Sequence, residues 1–216
     1  MISPSLEGTG RAGDDLWLLA HDDVTGKPVI QPRPLGLGLA GALLAELALA
    51  GAVNVRHDHI TVVAVRRRPA DGLLSRVLGQ VEGEADGHPV GEWLAYLART
   101  APAEVAARLE ACGYLARGRG LLPWRNRWVP TDRDSAFAPV LRVRAVLDAA
   151  RPLTAEGVVL AGLADACGLG FRLAQYTSGR PVRPLHQAIA QLPPGLQNLI
   201  ARTKAAVDSA VLAHRV

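Results

Sequence analysis

The stretch from Leu39 to Ala50 is apolar around its whole helical circumference, with Glu46 as its single charged residue. Such a helix must be enclosed by other elements, because any side left in water would form a large exposed apolar patch. About a dozen residues are too few to cross a bilayer, which requires roughly 20. Gly51 then ends the helix, since glycine readily adopts the left-handed conformation that follows helices. The stretch therefore predicts the central helix of a helical domain.

Glu46 places one carboxylate inside this apolar helix. A catalytic role is conceivable for such an acid, but no partner nucleophile or base is evident in the sequence. An unpaired buried charge is costly, whereas an arginine or backbone amides would offset that cost. We therefore expect Glu46 to be a paired, structural carboxylate.

Gly36, Gly38 and Gly41 match the spacing of a dinucleotide-binding loop. That loop requires a buried strand directly before the glycines. Here Pro32 and Pro34 precede them, and proline cannot donate to the hydrogen-bond ladder of a central strand. The glycines thus favour close packing of helices over nucleotide binding.

The composition fits one domain with modestly positive charge, at 216 residues and a formal net charge of +4. Lys27 and Lys204 are the only lysines among 24 basic residues, a bias typical of a high-GC bacterial coding sequence. Cys112 and Cys167 lack metal-binding or redox spacing, so we expect reduced thiols in a cytoplasmic protein. No secretory signal or transmembrane stretch is evident, which leaves peripheral attachment to the inner face of the membrane open.

Hydrophobic periodicity predicts a mainly α protein. We expect a flexible N-terminus over residues 1–12 and a compact single domain over 13–216, built around the central helix with one or two small β-hairpins. A β-branched run predicts a strand at His59–Val65, and a strand–turn–strand pattern extends from Tyr114 to Val129. The other helices are expected at Leu16–Ala20, Leu73–Val81, Val90–Arg99, Ala101–Ala111, Asp134–Ala150, Thr154–Ala166, Pro184–Leu192 and Leu196–Ala213.

The sequence shows no Gly-x-Ser-x-Gly elbow, no HExxH and no P-loop. Its one histidine cluster is His57-Asp58-His59, which could direct two imidazoles to one side of a strand. Metal binding would need ligands from elsewhere, and a solvated turn is the better interpretation. Asp14 and Asp15 fit the first turn of a helix, where aspartate accepts backbone donors. We therefore predict a protein without catalytic residues, metal or cofactor.

Three blocks of the sequence are informative when taken in order. Asp14-Asp15-Leu-Trp-Leu-Leu-Ala20 is followed by the turn Asp23-x-x-Gly26. Gly41-x-x-Leu-x-Glu46-Leu-Ala-Leu-x-Gly51 comes next, and Val105-Ala-Ala-Arg-Leu-Glu-Ala-Cys-Gly-Tyr-Leu115 precedes the hairpin. Together they resemble the Golgi phosphoprotein 3 family, including its bacterial members, over residues 13–215. The resemblance implies a mainly helical domain that binds phosphatidylinositol 4-phosphate at membranes as a non-enzymatic adaptor.

The lipid pocket of that family uses one tryptophan before the central helix, one arginine early in it and two arginines three residues apart. The corresponding positions here are Gln31, Ala40, Arg99 and Pro102, so only Arg99 is retained. The loop before the helix supplies further cations and an apolar tip, which together suit an anionic membrane surface. The expected lipid-binding residues are Lys27, Val29, Ile30, Gln31, Arg33 and Arg99.

The family's hairpin mediates self-association, and this chain concentrates tryptophan in the same segment. Trp124 and Trp128 alternate with Arg125 and Arg127, which predicts one aromatic and one cationic strand face. Tryptophan is enriched at interface hot spots, although the same residues could simply cover the core. The expected homo-oligomer interface consists of Leu121, Leu122, Trp124 and Trp128.

The order helix, helix, basic hairpin between Val90 and Val129 also fits a winged-helix nucleic-acid-binding regulator. Its wing would use the hairpin arginines to contact phosphates. However, Ala101–Ala111 contains only Arg108 as a basic residue and no polar side chains suited to reading base edges. Nucleic acid is therefore the less favoured partner. An unrecognised enzyme would have to rely on Glu46 and the histidine cluster at His57.

Overall fold

The computed structural model describes residues 9–56, 58–63, 68–84, 87–118, 127–148, 153–170 and 183–213. Its helices are α1 (Ala12–Leu19), α2 (Pro32–Leu49), α3 (Gly72–Glu82), α4 (Val90–Leu97), α5 (Ala101–Ala111), α6 (Arg133–Leu147), α7 (Ala155–Ala166), α8 (Arg183–Ala190) and α9 (Pro194–Ala213). Its strands are β1 (Val53–Arg56), β2 (His59–Val62), β3 (Leu115–Arg117) and β4 (Trp128–Pro130). The predicted mainly α class with small hairpins is confirmed.

Helix α2 lies at the centre of the fold, and every residue from Pro34 to Leu47 is buried. Helices α1, α4, α5, α7 and α9 pack around it. The predicted central helix is confirmed, but it begins at Pro32, about two turns before Leu39. The helix includes Pro32 and Pro34, because the fixed φ of proline suits the first turn of a helix.

Glycines allow other helices to approach α2 closely. A Cβ on Gly36 would collide with the carbonyl oxygen of Ala98 at the end of α4. A Cβ on Gly38 would collide with Sγ of Cys167, directly after α7. These contacts confirm that the glycines serve helix packing.

The strands form two antiparallel pairs, β1 with β2 and β3 with β4. In the first pair Arg56 faces His59, and Asp58 occupies the turn with a φ of 67°. Strand β1 is absent from the sequence expectation, although its alternation of buried valines and exposed polar residues is typical of a strand. Strand β2 ends at Val62, and residues 64–67 lie outside the described residues, as does His57.

Glu46 belongs to a buried ion cluster between α1, α2, α3 and α5. Its carboxylate accepts hydrogen bonds from the Arg108 guanidinium at 3.1 and 3.3 Å and from the Gly13 backbone N–H at 2.7 Å. Arg108 also donates to Asp14 at 2.8 Å and to Asp71 at 3.3 Å. The expected pairing of Glu46 with an arginine and a backbone amide is confirmed.

Asp14 and Asp15 lie in the first turn of α1, as expected, but both are fully buried. Burial raises the pKa of Asp14 to about 6, although the adjacent Arg108 opposes this rise. Asp15 accepts a hydrogen bond from the Thr9 N–H at 3.0 Å and pairs with Arg142 of α6. Both carboxylates therefore connect α1 to distant parts of the chain. Their position in the first turn of a helix does not by itself predict these long-range pairings.

Candidate functional site

An open groove of about 1120 Å³ lies between the N-terminal end of α2, helix α4 and the C-terminal end of α9. We call it the α2–α9 groove. Among the described residues that line it, most are apolar and Arg33 is the only charged one. The lining consists of Gln31, Pro32, Arg33, Pro34, Leu37, Gly91, Ala95, Ala206, Ser209, Ala210, Val211 and Ala213.

The loop before α2 is fixed by backbone hydrogen bonds. The Val29 N–H donates to the Ala20 carbonyl at 2.9 Å, and the Asp22 N–H donates to the Lys27 carbonyl at 2.8 Å. The resulting turn leaves the Val29 side chain 40% exposed, while Ile30 packs partly against the core. An apolar tip and an exposed cation are thus held directly before the groove.

The N-terminal end of α2 brings the positively charged side chain of Arg33 to the groove. Its first turn contains no acidic residue, and Gln31 at the N-cap makes no side-chain capping hydrogen bond. Pro32 and Pro34 have no N–H group to be capped. Among positions 32–34 only Arg33 has a backbone N–H, so the helix terminus itself adds little, and the positive charge at this end is that of the Arg33 side chain.

Arg99 lies in a second pocket, of about 530 Å³, on the exposed side of α4. Its guanidinium carbon is 5.8 Å from the centroid of the Tyr96 ring. The pocket also contains Glu84 and Glu92, whose carboxylates hydrogen-bond His88 at 3.1 and 2.9 Å. These two hydrogen bonds raise the pKa of His88. Arg99 thus shares its surroundings with two carboxylates that would repel an anion.

The structure separates the sequence-predicted lipid residues into two groups. Gln31 and Arg33 line the groove and Arg99 lines the second pocket, whereas Lys27, Val29 and Ile30 line neither opening. Ala95 borders both, and the close approach of Gly36 to α4 keeps the two openings adjacent. The sequence analysis did not predict that α9 forms one wall of the groove. The exposed apolar residues in the last turn of α9 are the feature that could have indicated it.

Two positions that correspond to family arginines contribute no charge. Ala40 is completely buried inside α2, and Pro102 is half-buried in the first turn of α5. Neither residue lines the groove or the pocket that holds Arg99.

Of the four residues predicted for self-association, only Trp128 lies within the described part of the chain; Leu121, Leu122 and Trp124 fall outside it. The Trp128 indole N–H donates to Glu110 at 3.1 Å, and the Arg117 guanidinium lies 4.6 Å from its ring centroid. Trp128 is half-buried against the core. Trp128 therefore covers part of the domain, while self-association stays a prediction.

The buried ion cluster around Arg108 also concentrates ionisable groups within the described structure. Arg108 and Asp71 also border an open pocket with Arg11, which bridges Asp71 at 3.2 Å. Each carboxylate that contacts Arg108 accepts a hydrogen bond from it, so the guanidinium is used within the cluster. The cluster acts as an internal clamp between helices.

Two absences hold for the described ranges. They contain no group of three or more histidine, cysteine or acidic side chains that could hold a metal ion. None of their helices combines the length and apolarity needed to cross a membrane.

Comparison with known families identifies a match over most of the chain. The family model described as Golgi phosphoprotein 3 (GPP34) matches residues 13–211, which is nearly the whole chain. No curated protein matches the chain significantly.

Proposed function

Because the chain belongs to the Golgi phosphoprotein 3 (GPP34) family, we propose that it binds anionic phospholipid at membrane surfaces. The observation that carries this proposal is the α2–α9 groove, whose only charged lining residue among those described is Arg33. In this role the protein is a non-enzymatic peripheral adaptor at the inner face of the membrane.

Charge and apolarity are arranged as such a surface requires. Lys27 and Arg33 are exposed beside the exposed Val29, within one fixed turn and the start of α2. Each cation near an anionic leaflet contributes about 1 kcal/mol, and a shallow apolar insertion adds to this. A few such contributions support reversible binding, which suits an adaptor.

By resemblance the preferred lipid is phosphatidylinositol 4-phosphate, but this chain supports only weak selectivity for it. Gln31, Ala40 and Pro102 replace three family contacts, and the retained Arg99 lies beside Glu84 and Glu92. We therefore propose that general attraction to anionic lipid dominates, with phosphoinositides bound about as well as other lipids of equal charge.

Liposome flotation tests the proposal. Wild-type protein should float with vesicles that contain phosphatidylglycerol and less so as salt rises, because exposed charges are screened over about 8 Å at physiological salt. Arg33→Glu should reduce flotation strongly, and Arg99→Glu should reduce it less. Arg56→Glu, an equal charge change on the exposed face of β1, serves as the control. Flotation that is absent, or equal for wild type and Arg33→Glu, would overturn the proposal.

The nucleic-acid alternative is disfavoured by the position of α5. Its only basic residue, Arg108, is buried and paired with carboxylates, so it cannot contact phosphates. Helix α5 packs on α2 and contributes Arg108 to the ion cluster. It therefore has no face with basic residues that could enter a groove of DNA.

A further inference from the structure

We propose that the α2–α9 groove holds one acyl chain of an anionic membrane phospholipid, with the phosphate of that lipid at Arg33. This inference rests on the proposed function, because the protein must first meet the lipid at the membrane. It goes further by assigning the lipid tail, and not only the headgroup, to a site on the protein.

The walls of the groove suit a hydrocarbon chain. Leu37 of α2, Ala95 of α4 and Ala210 of α9 face it with apolar side chains, and Ser209 is its one hydroxyl-bearing lining residue among those described. At about 1120 Å³ the groove exceeds the roughly 300–1,000 Å³ typical of small-molecule pockets. Each methylene buried there would strengthen binding roughly fourfold.

The end of the groove at α2 suits an anion. Arg33 supplies positive charge there, and the described lining residues include no carboxylate. This distinguishes the groove from the pocket of Arg99, where Glu84 and Glu92 oppose a phosphate. An apolar groove with one cationic end therefore matches an anionic amphiphile better than a headgroup alone.

Exposed apolar side chains continue the groove towards the bilayer. Val211 is 37% exposed and Leu212 is 64% exposed in the last turn of α9, and Val29 is exposed at the loop before α2. Val211 lines the groove and Leu212 follows it on α9, while Val29 precedes the lining residue Gln31 by two positions. Insertion of this apolar face into the bilayer interface would let one lipid acyl chain move from the leaflet into the groove.

Gly91 offers a way to fill the groove without disturbing the core. It lines the groove from α4, and a Cβ there would meet nothing within 4 Å. Gly91→Phe should therefore place a ring in the groove. Gly79→Phe is the matched control, because Gly79 is an exposed glycine of α3 that also has open space around its Cβ and does not line the groove.

The test is calorimetric titration with hexyl, octyl, decyl and dodecyl phosphate below their micelle concentrations. For wild type, affinity should rise roughly fourfold per added methylene, and glycerol phosphate without a chain should bind far more weakly. Gly91→Phe should lose at least tenfold in affinity for dodecyl phosphate, while Gly79→Phe keeps the wild-type value. Thermal melts of both variants establish that the fold is retained.

Each other outcome separates this inference from the proposed function. If wild type floats with anionic liposomes but alkyl phosphates bind without dependence on chain length, the acyl-chain site is overturned and the surface function stands. Wild-type affinity of Gly91→Phe for dodecyl phosphate would also overturn the site. Binding of alkyl phosphates that depends on alkyl-chain length, without liposome flotation, would overturn both the proposed membrane binding and the assignment of a membrane lipid as the ligand.

Discussion

Buried charges are the residue-scale feature that most shapes this fold. Glu46 and Arg108 are separated by 62 residues in sequence, yet their side chains meet inside the domain. The apolar context of Glu46 is sufficient to predict that it has a partner, because an unpaired charge there is too costly. Which arginine provides the pairing follows only from how α2 and α5 pack.

Glu46→Leu tests this pairing. The variant leaves the Gly13 N–H and part of the Arg108 guanidinium without their acceptor, and we expect a loss of about 3–5 kcal/mol in the free energy of unfolding. Urea denaturation measures this loss. Glu104→Leu is the control, because its 3.6 Å contact with Arg76 is a surface pair worth at most about 1 kcal/mol. Equal midpoints for the two variants would contradict the clamp.

His21 gives the fold a predictable response to acid. Its ring stacks on Trp17 at a centroid distance of 3.6 Å, and burial lowers its pKa to about 4. The unfolded chain therefore binds more protons than the folded protein between about pH 4 and 6.5, so this residue's contribution to stability falls as pH falls through that window. The full effect is about 3 kcal/mol.

His21→Phe keeps the stacked ring but removes the titration. The difference in unfolding free energy between wild type and His21→Phe should therefore shift in favour of the variant as pH is lowered from 7 towards about 4. Asp14 titrates in the opposite sense, because its pKa is raised, but it is present in both proteins and cancels in the difference. A difference that is independent of pH would show that His21 is not buried as a neutral ring.

At the scale of elements, α2 and its neighbours are fixed by close backbone contacts. The glycines of α2 were assigned to packing from the sequence because the prolines before them exclude a strand. The structure identifies the partners as Ala98 beside Gly36 and Cys167 beside Gly38. The contact at Gly36 also sets the distance between α2 and α4, and thereby the width of the candidate groove.

Gly36→Ala should destabilise the protein by about 1–3 kcal/mol, because its Cβ would collide with a backbone oxygen that cannot rotate away. Gly79→Ala should instead stabilise it by about 0.5–1 kcal/mol, since alanine favours an exposed helix and nothing lies within 4 Å. Opposite shifts of the two melting temperatures are expected. Shifts of the same sign would contradict the tight contact between α2 and α4.

At the scale of the whole molecule, the β3–β4 pair is anchored on the helical core. Strands β3 and β4 attach to the core through Trp128, and the turn at Gly26 packs so closely on the Trp128 backbone that a Cβ would not fit. Self-association through Leu121, Leu122, Trp124 and Trp128 stays a prediction from the family resemblance, and the first three of these lie outside the described residues.

Trp124→Ala should lower the mass measured by light scattering while leaving the fold intact, because tryptophan is enriched at interface hot spots. Trp128→Ala should lower the melting temperature, because its ring packs against the core and its indole N–H bonds Glu110. A wild-type protein that is monomeric at high concentration would contradict the proposed interface.

The sequence alone determined the class of fold, the central helix and the need for a partner at Glu46, because each follows from local hydrophobic pattern or from the cost of a buried charge. It also carried the family resemblance that the family match now supports. The packing of the helices brings Asp14, Asp71 and Arg108 into one cluster and places Arg33 and Arg99 in different openings. Such positions depend on packing between segments far apart in the chain, which no local pattern encodes.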